Sequence, residues 1–299
     1  MWQLYALGSL LTNSLGSVAD KNALIADRSI DYAVATLWRL VLYVACVTAI
    51  GLTGVLGALQ FAFPPEILAL GVLSIISSLF YTYLLRHIEI TSYVGFAYLA
   101  PFVFLLVDTL ILREKLGSSE IFGIVLLVIG GLGFAIDGKT HQFKKELSPY
   151  ALLMIVFSII QMGAQAYLFK HLHGTTGMSG VSFFASADLL AAAGVLSLIA
   201  MQGKLGLLWT RPARTYVPRV AFSKMCDALT TLLWAQALLF AAVSQVSAIG
   251  ALQPLVVFIL TIIGQRIFGL RIGEKFGLPR MKWKAMTISL LIVGGLLVG

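Results

Sequence analysis

Ten apolar segments of near-spanning length follow one another along this 299-residue chain, and they restrict its fold more than any other feature. A helix of about 20 apolar residues crosses the hydrocarbon core of a bilayer with all its backbone hydrogen bonds made internally. The segments lie at 2–19, 32–53, 66–85, 91–112, 119–137, 149–170, 181–202, 217–240, 245–268 and 284–299. The sequence therefore predicts an all-α membrane protein with ten transmembrane helices.

The composition excludes a water-soluble globule of this size. Hydrophobic residues make up 59% of the chain and charged residues only 11%, whereas soluble domains contain about 45–50% and about 25% respectively. The net charge of +8 raises nucleic acid as a partner, but the basic residues lie in short loops between apolar segments. We therefore expect membrane lipids and a small-molecule substrate as partners, and no nucleic acid. The oligomeric state is left open.

An internal repeat divides the chain into two halves. Pro101 and Pro254 each follow a very tight connection and are 153 residues apart (254 − 101), as are Tyr81 and Trp234 in the preceding segments (234 − 81). The predicted first repeat, connecting loop and second repeat lie at 1–140, 141–148 and 149–299. Because each repeat has five helices, an odd number, the two repeats must be inverted relative to each other within one integrated membrane domain.

Lysine and arginine residues divide unequally between the two sides of the predicted membrane domain. The odd-numbered loops carry 17 of them, including Lys21 and Lys224, and the even-numbered loops carry 3; Arg39, inside a segment, completes the 21. The positive-inside rule then places the odd-numbered loops in the cytoplasm and both termini outside. The expected location is the cytoplasmic membrane of a bacterium or archaeon, which the protein crosses several times.

Several motifs occur in an order that is informative as a set. They are Gly16-Ser17 followed by Lys21, Arg39 early in the second segment, Pro101 followed by Glu114, and the glycine-rich fifth and tenth segments. This set resembles the drug/metabolite transporter superfamily in its EamA-like branch. The resemblance implies a ten-helix fold with a central cavity lined mainly by helices one, three, four, six, eight and nine. It also implies metabolite or amino-acid transport, often export, and cytoplasmic termini, so the charge-based orientation and the resemblance disagree.

Ionisable residues inside apolar segments are costly, by about 2.5–3.5 kcal/mol at a helix centre, and need a reason to be there. Arg39 and Asp188 occupy corresponding positions in the two repeats. We predict that they form a charge pair or face water near the repeat interface, with Asp188 as the proton carrier if transport is proton-coupled. The alternative is an Arg39 that extends to the membrane surface and an Asp188 bonded to Ser182 or Ser186.

Two further acids have simpler interpretations. Asp108 is close in sequence to Arg113 and Glu114, and is interpreted as part of a charge cluster at the membrane surface. Asp227 follows Lys224 by three residues, which favours a local ion pair on one helix face.

Uncharged polar and aromatic residues within the segments are the candidates for substrate binding. Amide and hydroxyl groups can bond a substrate or simply join helices, and aromatic rings can hold an aromatic or cationic substrate. Pro101 and Pro254 are predicted to kink their helices and free backbone carbonyls. The predicted substrate-binding residues are Asn13, Ser17, Tyr81, Tyr98, Gln161, Gln165, Trp234, Gln236 and Gln253.

Inverted repeats with a site near the membrane midplane are typical of secondary transporters. We therefore predict a secondary active transporter that moves a small metabolite, such as an amino acid or amine, by alternating access; its direction and its coupling to protons are open. No sequence pattern typical of a metal site, a nucleotide site or a catalytic serine occurs, so we predict no enzymatic activity, no metal and no cofactor. The alternatives are an integral-membrane enzyme acting on a lipid-linked substrate and a non-transporting membrane subunit.

Overall fold

The computed structural model describes residues 1–27, 29–55, 57–90, 93–94, 99–113, 117–136, 148–267, 269 and 278–298, which are predominantly helical. The helices are α1 (Trp2–Ala26), α2 (Tyr32–Leu52), α3 (Pro65–His87), α4 (Ala100–Leu106), α5 (Ser118–Ala135), α6 (Pro149–Thr176), α7 (Gly180–Met201), α8 (Arg211–Leu238), α9 (Val243–Gly250), α10 (Gln253–Ile267) and α11 (Leu278–Val298). A π-helical segment, Val107–Leu112, continues α4. The predicted all-α class is confirmed.

Among the described residues, five helical stretches are long and apolar enough to cross a membrane. They are α2, α3, α6, α7 and the combined stretch of α9 and α10, while α4, α5 and α11 contain shorter apolar helices. Large apolar side chains on these helices, including Val72 and Leu153, are more than half exposed on the outside of the bundle. Water would disfavour such a surface and lipid accommodates it, so the chain is a helical membrane protein.

Helices α1 and α8 form the most extensive helix pair in the described part of the chain. The sequence predicted that they end at residue 19 and begin at residue 217, but they extend to Ala26 and start at Arg211. Lys21 and Lys224, interpreted above as loop cations, are only 4% and 3% exposed. The apolar pattern ends early in α1 because Asp20 and Lys21 are charged although both are buried. It begins late in α8 because the first turn contains the exposed residues Arg211 and Arg214. Because Lys21 and Lys224 are buried within helices, they are not loop cations and carry no information on orientation.

Pro101 and Pro254 both lie at the start of a helix. Pro101 lies in the first turn of α4, and Pro254 is the second residue of α10, which is separated from α9 by a turn at Ala251 and Leu252. Backbone N–H groups in the first turn have no intrahelical acceptor, so proline is tolerated there. Pro254 thus directly follows a break between α9 and α10, which together form one stretch long enough to cross a membrane.

Asp108, in the π-helical segment that follows α4, caps the start of α9. Its fully buried carboxylate accepts hydrogen bonds from the backbone N–H groups of Val243, at 3.2 Å, and Ser244, at 2.6 Å. These groups open α9, where N–H donors lack intrahelical partners and the helix dipole favours a negative charge. Asp108 therefore has a structural role as the cap of α9, which its interpretation as part of a charge cluster at the membrane surface did not include; Glu114 lies outside the described residues.

Replacement of Asp108 by Ala is expected to lower the free energy of unfolding by about 1–2 kcal/mol, the usual effect of losing a helix cap. Unfolding in mixed micelles of a mild detergent and dodecyl sulfate, followed by circular dichroism, measures this change. Asp108→Asn keeps one acceptor oxygen and is expected to lose less. Equal stability of Asp108→Ala and the wild type would show that the cap contributes nothing.

At the same end of the bundle as Ala26, Asp31 caps α2 and pairs with Lys204 at 3.1 Å. Burial raises the pKa of the Asp31 carboxyl, but hydrogen bonds from Lys204 and the backbone N–H of Ala33 outweigh it and hold that pKa below 3.8. A lowered folded-state pKa stabilises the fold above the unfolded-state value. The contribution of Asp31 is therefore present at neutral pH and is lost as the pH falls through the lowered pKa.

Helices α5 and α11 form a second extensive pair, through glycines. A Cβ atom added at Gly294 would lie 2.8 Å from the Gly123 carbonyl oxygen and 2.9 Å from the Leu127 amide nitrogen. The two backbones thus approach too closely for any side chain at Gly294.

Candidate functional site

A central cavity of about 400 Å³ lies among the helices and is lined by residues of α1, α2, α3, α4, α6, α7, α8, α9 and α10. This volume is in the range of small-molecule sites, which are mostly apolar with a few well-placed polar groups. Seven of the nine predicted substrate-binding residues line it: Asn13, Ser17, Tyr81, Gln161, Gln165, Trp234 and Gln253. Pro101, Arg39 and Asp188 line it as well.

The remaining predicted residues lie elsewhere. Gln236 is half-buried but does not contact the cavity, because it follows Trp234 by two residues and so points to a different face of α8. Pro254 is buried next to Gln253 and is also not part of the lining. Tyr98 and most of the predicted connecting loop at 141–148 lie outside the described residues.

Three of the lining residues bond one another in a closed ring. Asn13 donates to the Gln253 side-chain oxygen at 3.1 Å, Gln253 donates to Ser17 Oγ at 3.3 Å, and Ser17 donates to Asn13 Oδ1 at 3.5 Å. This ring joins α1 to α10. On the opposite side of the cavity, Gln161 donates to Ser74 Oγ at 3.3 Å and joins α6 to α3. The polar lining therefore also holds the helices together.

Four charged residues form an ion network beside the cavity: Asp20, Arg39, Lys224 and Asp227. Asp20 Oδ2 lies 2.8 Å from both Arg39 Nη2 and Lys224 Nζ, and Lys224 also pairs with Asp227. Asp20 is fully buried, and the side chains of Arg39 and Lys224 are 9% and 3% exposed. With two positive and two negative charges, the network is neutral as a whole, which makes its burial tolerable.

Arg39 is further held by uncharged partners. Its Nη1 atom donates to Thr82 Oγ1 at 2.7 Å, and its guanidinium lies 4.3 Å from the centre of the Tyr81 ring. The cation thus has a carboxylate, a hydroxyl and an aromatic face, all within the bundle. This arrangement contradicts the alternative that Arg39 extends to the membrane surface.

Of the two arrangements predicted for Arg39 and Asp188, the structure does not show the ion pair, because Asp20 takes the place of Asp188, but both residues line the central cavity. The extended α1 brings Asp20 against α2, where Arg39 lies. The hydroxyls of Ser182 and Ser186 do not bond Asp188 either: they accept from the backbone N–H groups of residues 60 and 62, at 2.8 and 3.1 Å. Asp188 therefore faces the cavity without a hydrogen bond or ion pair to any residue in the described ranges.

Asp20 was not predicted as a site residue, because the first predicted segment, 2–19, ends one residue before it. A signal was present: Ser9, Asn13, Ser17 and Asp20 recur at helical spacing and are small or polar, so they mark one face of a longer helix. In the structure this face lines the cavity and then enters the ion network. Lys224 lies inside the predicted eighth segment, 217–240, but it was counted as a loop cation, so it was not considered for the site, although its pairing with Asp227 was predicted correctly.

Comparison with known proteins gives the fold alone. No protein-family profile matches this chain, and no curated protein matches it. A solved structure described only as a crystal structure of a protein is similar to it, with a TM-score of 0.70 and 15% sequence identity over 98% of this chain and 94% of its own. The arrangement of helices is therefore one that another protein of similar length adopts, and the likeness carries no functional information.

Proposed function

We propose that this protein is a secondary transporter of the drug/metabolite transporter type, which moves a small metabolite by alternating access between two inverted five-helix halves. The observation that carries the proposal is the central cavity, because residues 1–140 and residues 149–299 contribute to its lining in similar measure. A site shared in this way can be exposed to one side or the other by movement of one half against the other.

The pairing of the helices supports the inverted repeat. With α1 to α3 matched to α6 to α8 in order, the α2–α8 contact corresponds to the α7–α3 contact, and α1–α8 corresponds to α6–α3. The α2–α7 and α5–α11 pairs each join a helix to its own counterpart. Such a pattern is expected of two similar halves related by a two-fold axis.

The chemistry of the lining supports a small-molecule substrate in preference to a lipid-linked one. The polar groups lie between helices, on α1, α6 and α10, where they line the central cavity. Within the described residues, no three histidine, cysteine, aspartate or glutamate side chains are grouped as a metal site requires. These features favour binding and release of an unaltered molecule.

A ligand panel tests the proposal directly. Purified protein is screened by thermal unfolding against amino acids, amines, nucleosides and sugar phosphates, and compounds that bind are assayed for uptake into proteoliposomes. A ligand at a hundredfold excess over its dissociation constant is expected to stabilise the folded state by about 2.7 kcal/mol. If no class stabilised the protein and none entered proteoliposomes, the transport proposal would be rejected.

Two glutamine variants provide a matched comparison. Gln165 lines the cavity and Gln236 does not, so Gln165→Ala is expected to weaken ligand binding by about two- to tenfold, the effect of losing one hydrogen bond. Gln236→Ala is expected to bind like the wild type. Titration of the ligand by calorimetry measures both. An equal effect of the two substitutions would show that the ligand does not occupy this cavity.

A further inference from the structure

The cavity contains two cations, Arg39 and Lys224, but neither is available to a ligand without breaking an existing pair. Arg39 is held by Asp20, Thr82 and the face of the Tyr81 ring. Lys224 is 3% exposed and lies between two carboxylates, those of Asp20 and Asp227. An anionic group entering the cavity would therefore meet cations that are already neutralised.

Asp188 differs from Arg39 and Lys224, because no described residue forms a hydrogen bond or an ion pair with it. It lines the cavity from α7, its neighbours Ser182 and Ser186 are engaged with the backbone of residues 60 and 62, and no described residue donates to it. The ion network sums to zero charge, so Asp188 leaves the cavity with one negative charge when ionised. Lys224 attracts this carboxylate without contacting it. An ionised carboxylate that lacks a direct partner in a low-dielectric site is stabilised by a positively charged group that binds next to it.

The rest of the lining suits an organic group and not a bare metal ion. Phe104, Phe184 and Trp234 line the cavity, and the rings of Phe184 and Trp234 meet edge to face with centroids 6.4 Å apart. Aromatic faces of this kind attract organic cations. A divalent cation would instead need several oxygen ligands around one point, and the described residues contain no group of three metal-binding side chains.

We infer that the cavity binds an organic monocation, an amine or ammonium compound with an apolar or aromatic body, and that Asp188 is the residue that pairs with its charge. The inference deepens the proposed function by naming the substrate class of the same site. It separates amines from amino acids, because the carboxylate of an amino acid would need a cation that Arg39 and Lys224 do not offer.

Three compounds with the same phenyl group test the inference: 2-phenylethylamine, which is cationic at pH 7, 2-phenylethanol, which is neutral, and phenylalanine, which adds a carboxylate. Calorimetric titration of the purified protein measures their dissociation constants. The amine is expected to bind at least about tenfold more tightly than the other two. Equal or tighter binding of the alcohol or the amino acid, or no binding of the amine, would overturn the inference.

Variants of Asp188 show whether the carboxylate itself is responsible. Asp188→Asn is expected to weaken amine binding by about tenfold or more and to leave binding of the alcohol unchanged. Asp188→Glu, which keeps the charge, is expected to retain amine binding and shows that the site tolerates substitution. Asp31→Asn removes the same charge outside the cavity and is expected to bind the amine like the wild type. Wild-type affinity for the amine in Asp188→Asn would overturn the inference.

Uptake into proteoliposomes separates this inference from the transport proposal. Binding of the amine through Asp188 without uptake of any compound would support the cation site and reject transport. Uptake of phenylalanine or the alcohol that does not depend on Asp188 would support transport and overturn the cation site.

Discussion

Replacement of Asp20 by Asn is expected to lower the free energy of unfolding by about 3–5 kcal/mol, because it removes one member of a buried ion network and leaves the others in place. Asp20 Oδ2 is the atom shared by Arg39 and Lys224, at 2.8 Å from each. Without its charge, Arg39 has no carboxylate partner within the described residues, and the remaining network of Arg39, Lys224 and Asp227 has a net positive charge.

Unfolding in mixed detergent micelles measures the effect of Asp20→Asn, and Asp31→Asn is its matched control. Asp31 makes the same kind of pair with Lys204, but at the surface, where their side chains are 27% and 42% exposed. Such pairs contribute about 0–1 kcal/mol. Similar losses in the two variants would contradict the view that burial determines the importance of the network.

Replacement of Gly294 by Ala is expected to cost about 1–3 kcal/mol through overpacking between α5 and α11. The new methyl group would lie within 3 Å of a backbone oxygen and a backbone nitrogen of α5, and backbone atoms cannot move aside as a flexible side chain can. The helices must then separate, which also disturbs the neighbouring contact of Gly130 with Leu291.

The adjacent glycine supplies the control for this prediction. A Cβ atom at Gly295 would lie 3.5 Å from the Leu252 side chain, an ordinary contact distance. Gly295→Ala is therefore expected to be neutral, or to stabilise α11 by up to about 1 kcal/mol through helix propensity. Both variants are compared by unfolding in the same micelles. A Gly294→Ala protein as stable as Gly295→Ala would show that the two helices separate at little cost.

The apolar pattern predicted the helices best where one face meets lipid. The second predicted segment, 32–53, differs from α2 (Tyr32–Leu52) by one residue. Prediction failed at the end of α1 and at the start of α8. In α1 the reason is the Asp-Lys pair at 20–21, which is typical of a loop when no partner is known. The partners of Asp20 are Arg39 on α2 and Lys224, 204 residues away on α8, and only the folded chain brings the three together.

The candidate site was predicted in its residue types but not in its pairings. Tyr81, Gln161 and Trp234 were found from polar or aromatic character within apolar segments, and all three line the cavity. The pairing of Arg39 with Asp188 was inferred from their corresponding positions in the repeat. Residues at corresponding positions of two repeats need not touch, because residues related by a two-fold axis contact each other only where both lie close to that axis.

The packing of α1 against α8 has a consequence for how the chain is made. After Ala26 the ribosome must add 185 residues, the last of them Arg211 (211 − 26), which takes about 10–40 s at 5–20 residues per second. During that interval Asp20 can pair with Arg39 but not with Lys224, and the surface of α1 that later meets α8 is open to lipid or to the insertion machinery. The first half of the chain is thus inserted before α1 can make its contact with α8. Its final structure therefore depends on the second half, which is synthesised later.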